Sequence, residues 1–163
     1  MTTTESRPTG PPNHRASVGP ARTAERAVVD LAARFGVPAL RVSLAITFLW
    51  FGALKITNAT PVADLVAGTV GWIPGVEAAW FVPFLGAVEV ALGAVLLVGK
   101  GLRVVLPLLA AHLAGTFLTL VTQPAVAFQD GNVLMLTTEG EFVIKNLVLL
   151  SAVLVLYGLR GRR

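Results

Sequence analysis

Five ionisable residues stand within or at the edge of apolar runs, and all are of types that do chemistry: Arg41, Lys55, Glu89, His112 and Lys145. A charge within hydrocarbon costs at least about 2.5 to 3.5 kcal/mol, so each needs a partner or a purpose. A carboxylate beside an imidazole can pass a proton, and a lysine ammonium can hold an anionic or carbonyl oxygen. The same groups can also simply neutralise one another inside a fold. For Lys55, Glu89 and Lys145, structural pairing and a functional polar pocket both stay open. Arg41 reads as a membrane anchor whose guanidinium snorkels to the phosphate layer. His112 reads first as a buried, hydrogen-bonded residue. With no second His or Cys at ligand spacing, no metal site is expected.

The spacing of these residues is informative. Arg41, Ala45, Phe48, Gly52 and Lys55 recur every three or four positions, which puts them on one stripe of a helix. Gly86, Glu89 and Gly93 share a face on which the glycines permit close helix approach. His112, Thr116, Thr119 and Gln123 align by the same rule. Lys145 falls on a stripe with Leu149, Ala152 and Leu156, and Asn146 on the adjacent one. Glu89 is therefore expected to meet Lys55 or Lys145 with His112 nearby. The candidate pocket residues are Lys55, Glu89, His112, Thr116, Lys145 and Asn146, gathered toward the outer half of a bundle. No catalytic residue is assigned.

The elements that must position them are apolar runs of about twenty residues, the length that crosses hydrocarbon. They lie at 38–56, 80–99, 102–121 and 142–159, in a chain of 163 residues that is 55% hydrophobic and 13% charged. Such a balance excludes an ordinary soluble domain. The expected fold is all-α, a four-helix transmembrane bundle over 37–160 with an N-terminal amphipathic helix at 21–36 and a disordered tail at 1–20. The tail is rich in Pro and holds His14. The amphipathic helix carries Arg26, Asp30 and Arg34 opposite Val28, Leu31 and Phe35. Gly36 is expected to end it and Pro38 to open the first span. No signal peptide is visible, so that span is expected to stay as an anchor. Pro61 begins a short helical pattern in the first outer connection, and Asp130-Gly131 suggests a small β-ribbon in the second. Thr138 and Glu141 have the spacing of a capping box.

Basic residues set a direction. Arg22, Arg26 and Arg34 precede the first span, Lys100 and Arg103 fill the second connection, and Arg160, Arg162 and Arg163 follow the fourth. All belong inside, so both ends are expected in the cytoplasm. Trp72 and Trp80 then fall where an interfacial aromatic belt would anchor the bundle. The formal charge of +4 reflects this edge placement and forms no basic face for nucleic acid. The absence of cysteine excludes a disulfide or thiolate within the chain. There is no phosphate-binding Gly-rich loop followed by Lys and no Gly-x-Ser-x-Gly elbow. One intramembrane His is a poor basis for haem.

Several phrases occur together: Trp50-Phe51-Gly52-Ala53-Leu54-Lys55, Glu89-Val90-Ala91-Leu92-Gly93, His112-Leu113-Ala114-Gly115-Thr116-Phe117, and Thr138 through Leu147 with its Val-Ile-Lys-Asn-Leu run. With these the chain resembles the DoxX-like group of bacterial membrane proteins, which includes reactive-chlorine-resistance relatives. The resemblance covers roughly Ala39 to Tyr157. It implies a four-helix inner-membrane (plasma-membrane) protein whose relatives are linked to thiosulfate–quinone oxidoreduction or oxidative-stress resistance.

The leading expectation is an accessory subunit in redox or chlorine-stress defence, without autonomous catalysis, whose outer-facing pocket binds a small molecule or a partner. No cofactor is assigned, although a quinone headgroup is compatible with the pocket. The partners expected are the lipid bilayer, an oxidoreductase subunit or a second copy of the chain. Two alternatives come from other classes. One is a quinone-linked oxidoreductase component, and the other is a small-solute or ion transporter acting as an oligomer.

Overall fold

A computed structural model describes residues 20–160. The expected disordered tail, with His14, lies outside the described residues up to Pro20, and so do Arg162 and Arg163. The helices are α1 (Pro20–Ile56), α2 (Ala63–Val70), α3 (Ala78–Val98), α4 (Leu102–Thr116), α5 (Thr119–Thr122), α6 (Pro124–Ala127) and α7 (Thr138–Arg160), with no strand among the described residues. Four stretches are long and apolar enough to cross a bilayer: Arg22–Ile56, Ala78–Val98, Leu102–Thr122 and Thr138–Arg160. The all-α, four-span architecture read from hydropathy is the one observed.

Contacts divide the chain into two units between Phe35 and Gly36. In the first, Val28, Leu31 and Phe35 are exposed, and the Arg34 guanidinium lies 5.6 Å from the centre of the Phe35 ring. The expected helix stop at Gly36 does not occur, because α1 runs on through Gly36 and Pro38. Gly36 has no left-handed backbone that could cap a helix. Pro38 removes one amide donor and crowds the carbonyl four residues back, which a membrane helix tolerates.

In the second unit the helices bury one apolar core. Leu44, Ala45 and Phe48 of α1 meet Leu92 and Leu96 of α3, Val105, Leu106, Leu109 and Leu113 of α4, and Val153 and Leu156 of α7. This core sits toward the end of the bundle where α3 passes into α4. That turn has Gly99 at φ 79° and Gly101 at φ 69°. Arg41 lies against it: a Cβ on Gly99 would come within 2.6 Å of Arg41 Nη1. The guanidinium thus faces the C-terminal end of α3, where helix carbonyls favour a cation.

Toward the other end, α1 and α3 approach through glycines. A Cβ on Gly52 would stand 2.6 Å from the Gly86 carbonyl oxygen, and one on Gly86 would stand 2.6 Å from that of Gly52. Backbone therefore rests on backbone, which only hydrogen at Cα allows.

The third span is less regular than its hydropathy suggests. α4 ends at Thr116, and the next amides turn back by three residues, Phe117 N–H to Ala114 O at 3.2 Å and Leu118 N–H to Gly115 O at 3.0 Å. This tightening leaves the Leu113 carbonyl free, and the Thr116 hydroxyl donates to it at 2.6 Å.

The fourth span begins earlier than 142, with a different cap from the one expected. The Gly140 amide donates to Thr137 Oγ1 at 3.0 Å, so Thr137 caps α7 in place of Thr138. Glu141 instead accepts from Lys145 one turn on, at 3.2 Å.

The expected β-ribbon reduces to one antiparallel bridge, Phe128 with Leu136. Asp130 and Gly131 do take left-handed angles, but within a 3-10 turn, Gln129–Gly131. The 3-10 turn starts directly after Phe128, which leaves no extended run to continue the bridge into a ladder.

Candidate functional site

The site begins with the glycine crossing. Lys55 lies three residues after Gly52 and Glu89 three after Gly86 on helices that run antiparallel, so the two stand on opposite sides of the crossing and reach toward each other past it. Lys55 Nζ donates to both carboxylate oxygens of Glu89, at 3.0 and 2.7 Å. Both residues are buried, 7% and 4% exposed, so removal of one partner would leave the other as an unpaired buried charge. His112 of α4 closes the cluster, its Nε2 2.9 Å from Glu89 Oε1. The Phe48 ring packs edge-on to the imidazole with centroids 5.8 Å apart, fixing its plane.

These three groups form part of the wall of a cavity of about 330 Å³ within the second unit. Phe48 and Phe51 of α1, Phe81 and Leu85 of α3, and Phe142, Val143 and Leu149 of α7 supply most of the apolar wall. Val62, Leu65, Val66, Thr69 and Val70, from α2 and its start, cover one side.

A hydroxyl and amide cluster holds α2 in place. Thr69 donates to Leu65 O at 2.7 Å, and Gln123 Nε2 reaches Leu65 O at 2.8 Å and Thr69 Oγ1 at 2.9 Å. Thr119 lies 2.8 Å from Thr69 Oγ1, and since the Thr69 hydrogen is engaged, Thr119 is the donor. The break after Thr116 aims α5 and Gln123 at α2.

The six pocket residues read from the sequence fare differently. Lys55, Glu89, His112, Thr116 and Asn146 line the cavity together. Asn146 Nδ2 donates to Thr116 Oγ1 at 2.9 Å, which ties α7 to α4 at this level. Lys145 is not among the lining residues and is 73% exposed, paired with Glu141. Adjacent positions on a helix point about 100° apart, so a face that admits Asn146 turns Lys145 away. Trp72 and Trp80 are both exposed; Trp72 Nε1 donates to Thr69 O at 2.9 Å, and Trp80 packs on Phe81 and Phe84. The part played by Thr69 was missed, because its helical pattern marks it only as one position among apolar neighbours. Thr119 and Gln123 were legible as a polar stripe on the third span, but not as a latch.

The cavity thus has an apolar, aromatic body and a polar wall with an internally neutralised charge pair. Among the described residues, no three His, Cys, Asp or Glu side chains come together. The shape suits a small organic molecule with a polar head.

The family model of DoxX matches residues 36–123, more than half of the chain. The chain belongs to the DoxX family. The matched stretch carries Lys55, Glu89, His112 and Thr116, so most of the polar wall of this DoxX protein lies within it. Asn146 and α7 lie beyond it. Family and apolar helices together make this DoxX chain a membrane protein. No curated protein and no solved structure matches it.

Proposed function

We propose that this DoxX-family protein is an accessory subunit of redox or oxidative and chlorine-stress defence in the bacterial plasma membrane, and that its cavity binds a small molecule. A quinone headgroup is the first ligand to test. The observation that supports this reading is the Lys55–Glu89–His112 cluster on the wall of an otherwise apolar cavity. A pair needed only for packing has no reason to face open space, whereas polar groups in an apolar pocket orient a ligand.

In this reading both termini are cytoplasmic, Trp72 and Trp80 anchor the outer interface, and Arg41 anchors the inner one. The cavity then opens toward the outer half of the bilayer. No catalytic step is placed on the chain, and a partner oxidoreductase subunit or a second copy completes the system.

The test is a titration of the purified full-length protein in mild detergent with a short-tailed benzoquinone. Saturable binding that weakens at least about tenfold in Lys55→Met and is unchanged in Lys145→Ala is expected, since one lost charge-assisted hydrogen bond is worth that much. Indifference to Lys55→Met would overturn the site. A deletion strain that survives hypochlorite as well as its parent would overturn the stress role.

A further inference from the structure

The hydrogens along the cavity wall are unevenly distributed. Thr116 donates to Leu113 O, Thr69 to Leu65 O and Thr47 to Ser43 O, while Thr119 donates to Thr69. Every hydroxyl hydrogen that lines the cavity is therefore engaged by protein. Two of the three hydrogens on Lys55 Nζ are turned onto the oxygens of Glu89, which leaves one for a ligand.

Acceptors are left over. Because the Thr116 hydrogen goes to Leu113, its oxygen accepts from Asn146, so the amide must present its NH₂ there and its Oδ1 elsewhere. On the other wall, Glu89 is an acceptor-only carboxylate with Lys55 on both oxygens. His112 Nε2 stands 2.9 Å from Glu89 Oε1, a contact that an acceptor-only carboxylate favours when the imidazole hydrogen is on Nε2. In the neutral imidazole Nδ1 is then an acceptor. Among the described residues, the sealed and unpartnered side-chain atoms are Arg41 Nε and Arg160 Nη1. His112 Nδ1 and Asn146 Oδ1 have no hydrogen-bond partner either, and are not sealed. Both residues line the cavity.

We infer that the cavity selects ligands that present hydroxyl donors on an aromatic body, an aromatic alcohol or diol, over their ether or carbonyl counterparts. Phe48, Phe51 and Phe142 supply the aromatic wall, with Phe51 and Phe142 edge to face at 6.1 Å. His112 and Thr116, which holds Asn146, are one helical turn apart, about 6 Å along α4, a separation that the two hydroxyls of one ring can bridge. A hydroxyl suits Asn146 doubly, since it can donate to Oδ1 and accept from the remaining amide hydrogen. A carbonyl or ether would leave both free acceptors unmatched. For a quinone headgroup this favours the reduced, dihydroxy form. The inference rests on the reading of the cavity as a small-molecule site.

The test compares 4-hexylphenol with 4-hexylanisole, which differ only in methylation of the oxygen, by titration of the full-length protein in mild detergent. The phenol is expected to bind about tenfold more tightly, the worth of one hydrogen bond to a desolvated acceptor. In Asn146→Leu or His112→Phe the difference should shrink severalfold. Equal binding of both probes, or preference for the anisole, overturns the donor rule and leaves the cavity as a ligand site. Saturable binding of neither overturns the cavity reading together with the rule. The wild-type comparison decides the matter even where a variant fails to fold.

Discussion

Lys55 and Glu89, 34 positions apart in the chain, meet through two hydrogen bonds of 3.0 and 2.7 Å, beside a crossing where two glycine backbones touch. The short approach and the ion pair depend on each other. Bulk at the crossing would part the charges, and an unpaired charge would make the crossing a liability in lipid.

Removal of one partner is accordingly expected to be worse than removal of both. Lys55→Met or Glu89→Met alone should destabilise the protein by about 3 to 5 kcal/mol, through the buried charge left behind. The double variant should regain most of that loss. Unfolding in mild detergent with rising dodecyl sulfate, analysed as a double-mutant cycle, measures the coupling. Additive losses would show that the two groups act independently.

The same Gly→Ala change should have opposite signs at two places. At Gly86 the new methyl would meet the Gly52 carbonyl oxygen and Lys55 Cβ, and a loss of about 1 to 3 kcal/mol is expected from overpacking. At Gly158, within α7, nothing lies within 4 Å, and a gain of about 0.5 to 1 kcal/mol is expected from helix propensity. The two melting temperatures should move apart.

The start of α7 offers a sharp comparison between neighbours. Thr137→Ala removes the hydroxyl that accepts from Gly140 N–H and should cost about 1 kcal/mol. Thr138→Ala should change stability by less than about 0.5 kcal/mol, as expected of a position away from such a feature. Equal losses would return the cap to Thr138.

Gln123 holds α2 by reaching both Leu65 O and Thr69 Oγ1. Gln123→Leu should raise the hydrogen-exchange rate of α2 amides by roughly fivefold to fiftyfold, from the loss of two hydrogen bonds of about 1 kcal/mol each. Exchange in α3 should stay unchanged. An unaltered α2 would mean that apolar contacts alone hold it.

Much of the molecule was legible in the linear order of its residues. Twenty-residue apolar runs left no alternative to membrane helices, because lipid offers a backbone no hydrogen-bond partners other than its own. The three-and-four spacing of Gly52, Lys55, Gly86 and Glu89 placed glycines and charges on common faces, and the cost of a lone charge in hydrocarbon called for a pairing.

Other features depended on tertiary contacts. Whether Glu89 took Lys55 or Lys145 turned on which helices cross at the glycines, a contact between distant segments that no local pattern encodes. Asn146 faces the cavity and Lys145 does not, because the rotation of α7 is set by Val143 and Val153 packing inward. Gly36 and Pro38 carry strong stop signals, yet α1 continues, since in lipid a broken helix would leave more backbone groups unsatisfied than the proline itself does. Local chemistry settled which residues are polar and on which face they stand. Only packing settled which hydrogens the protein spends on itself, such as those of Thr69 and Thr116, because that depends on where the neighbouring carbonyls lie.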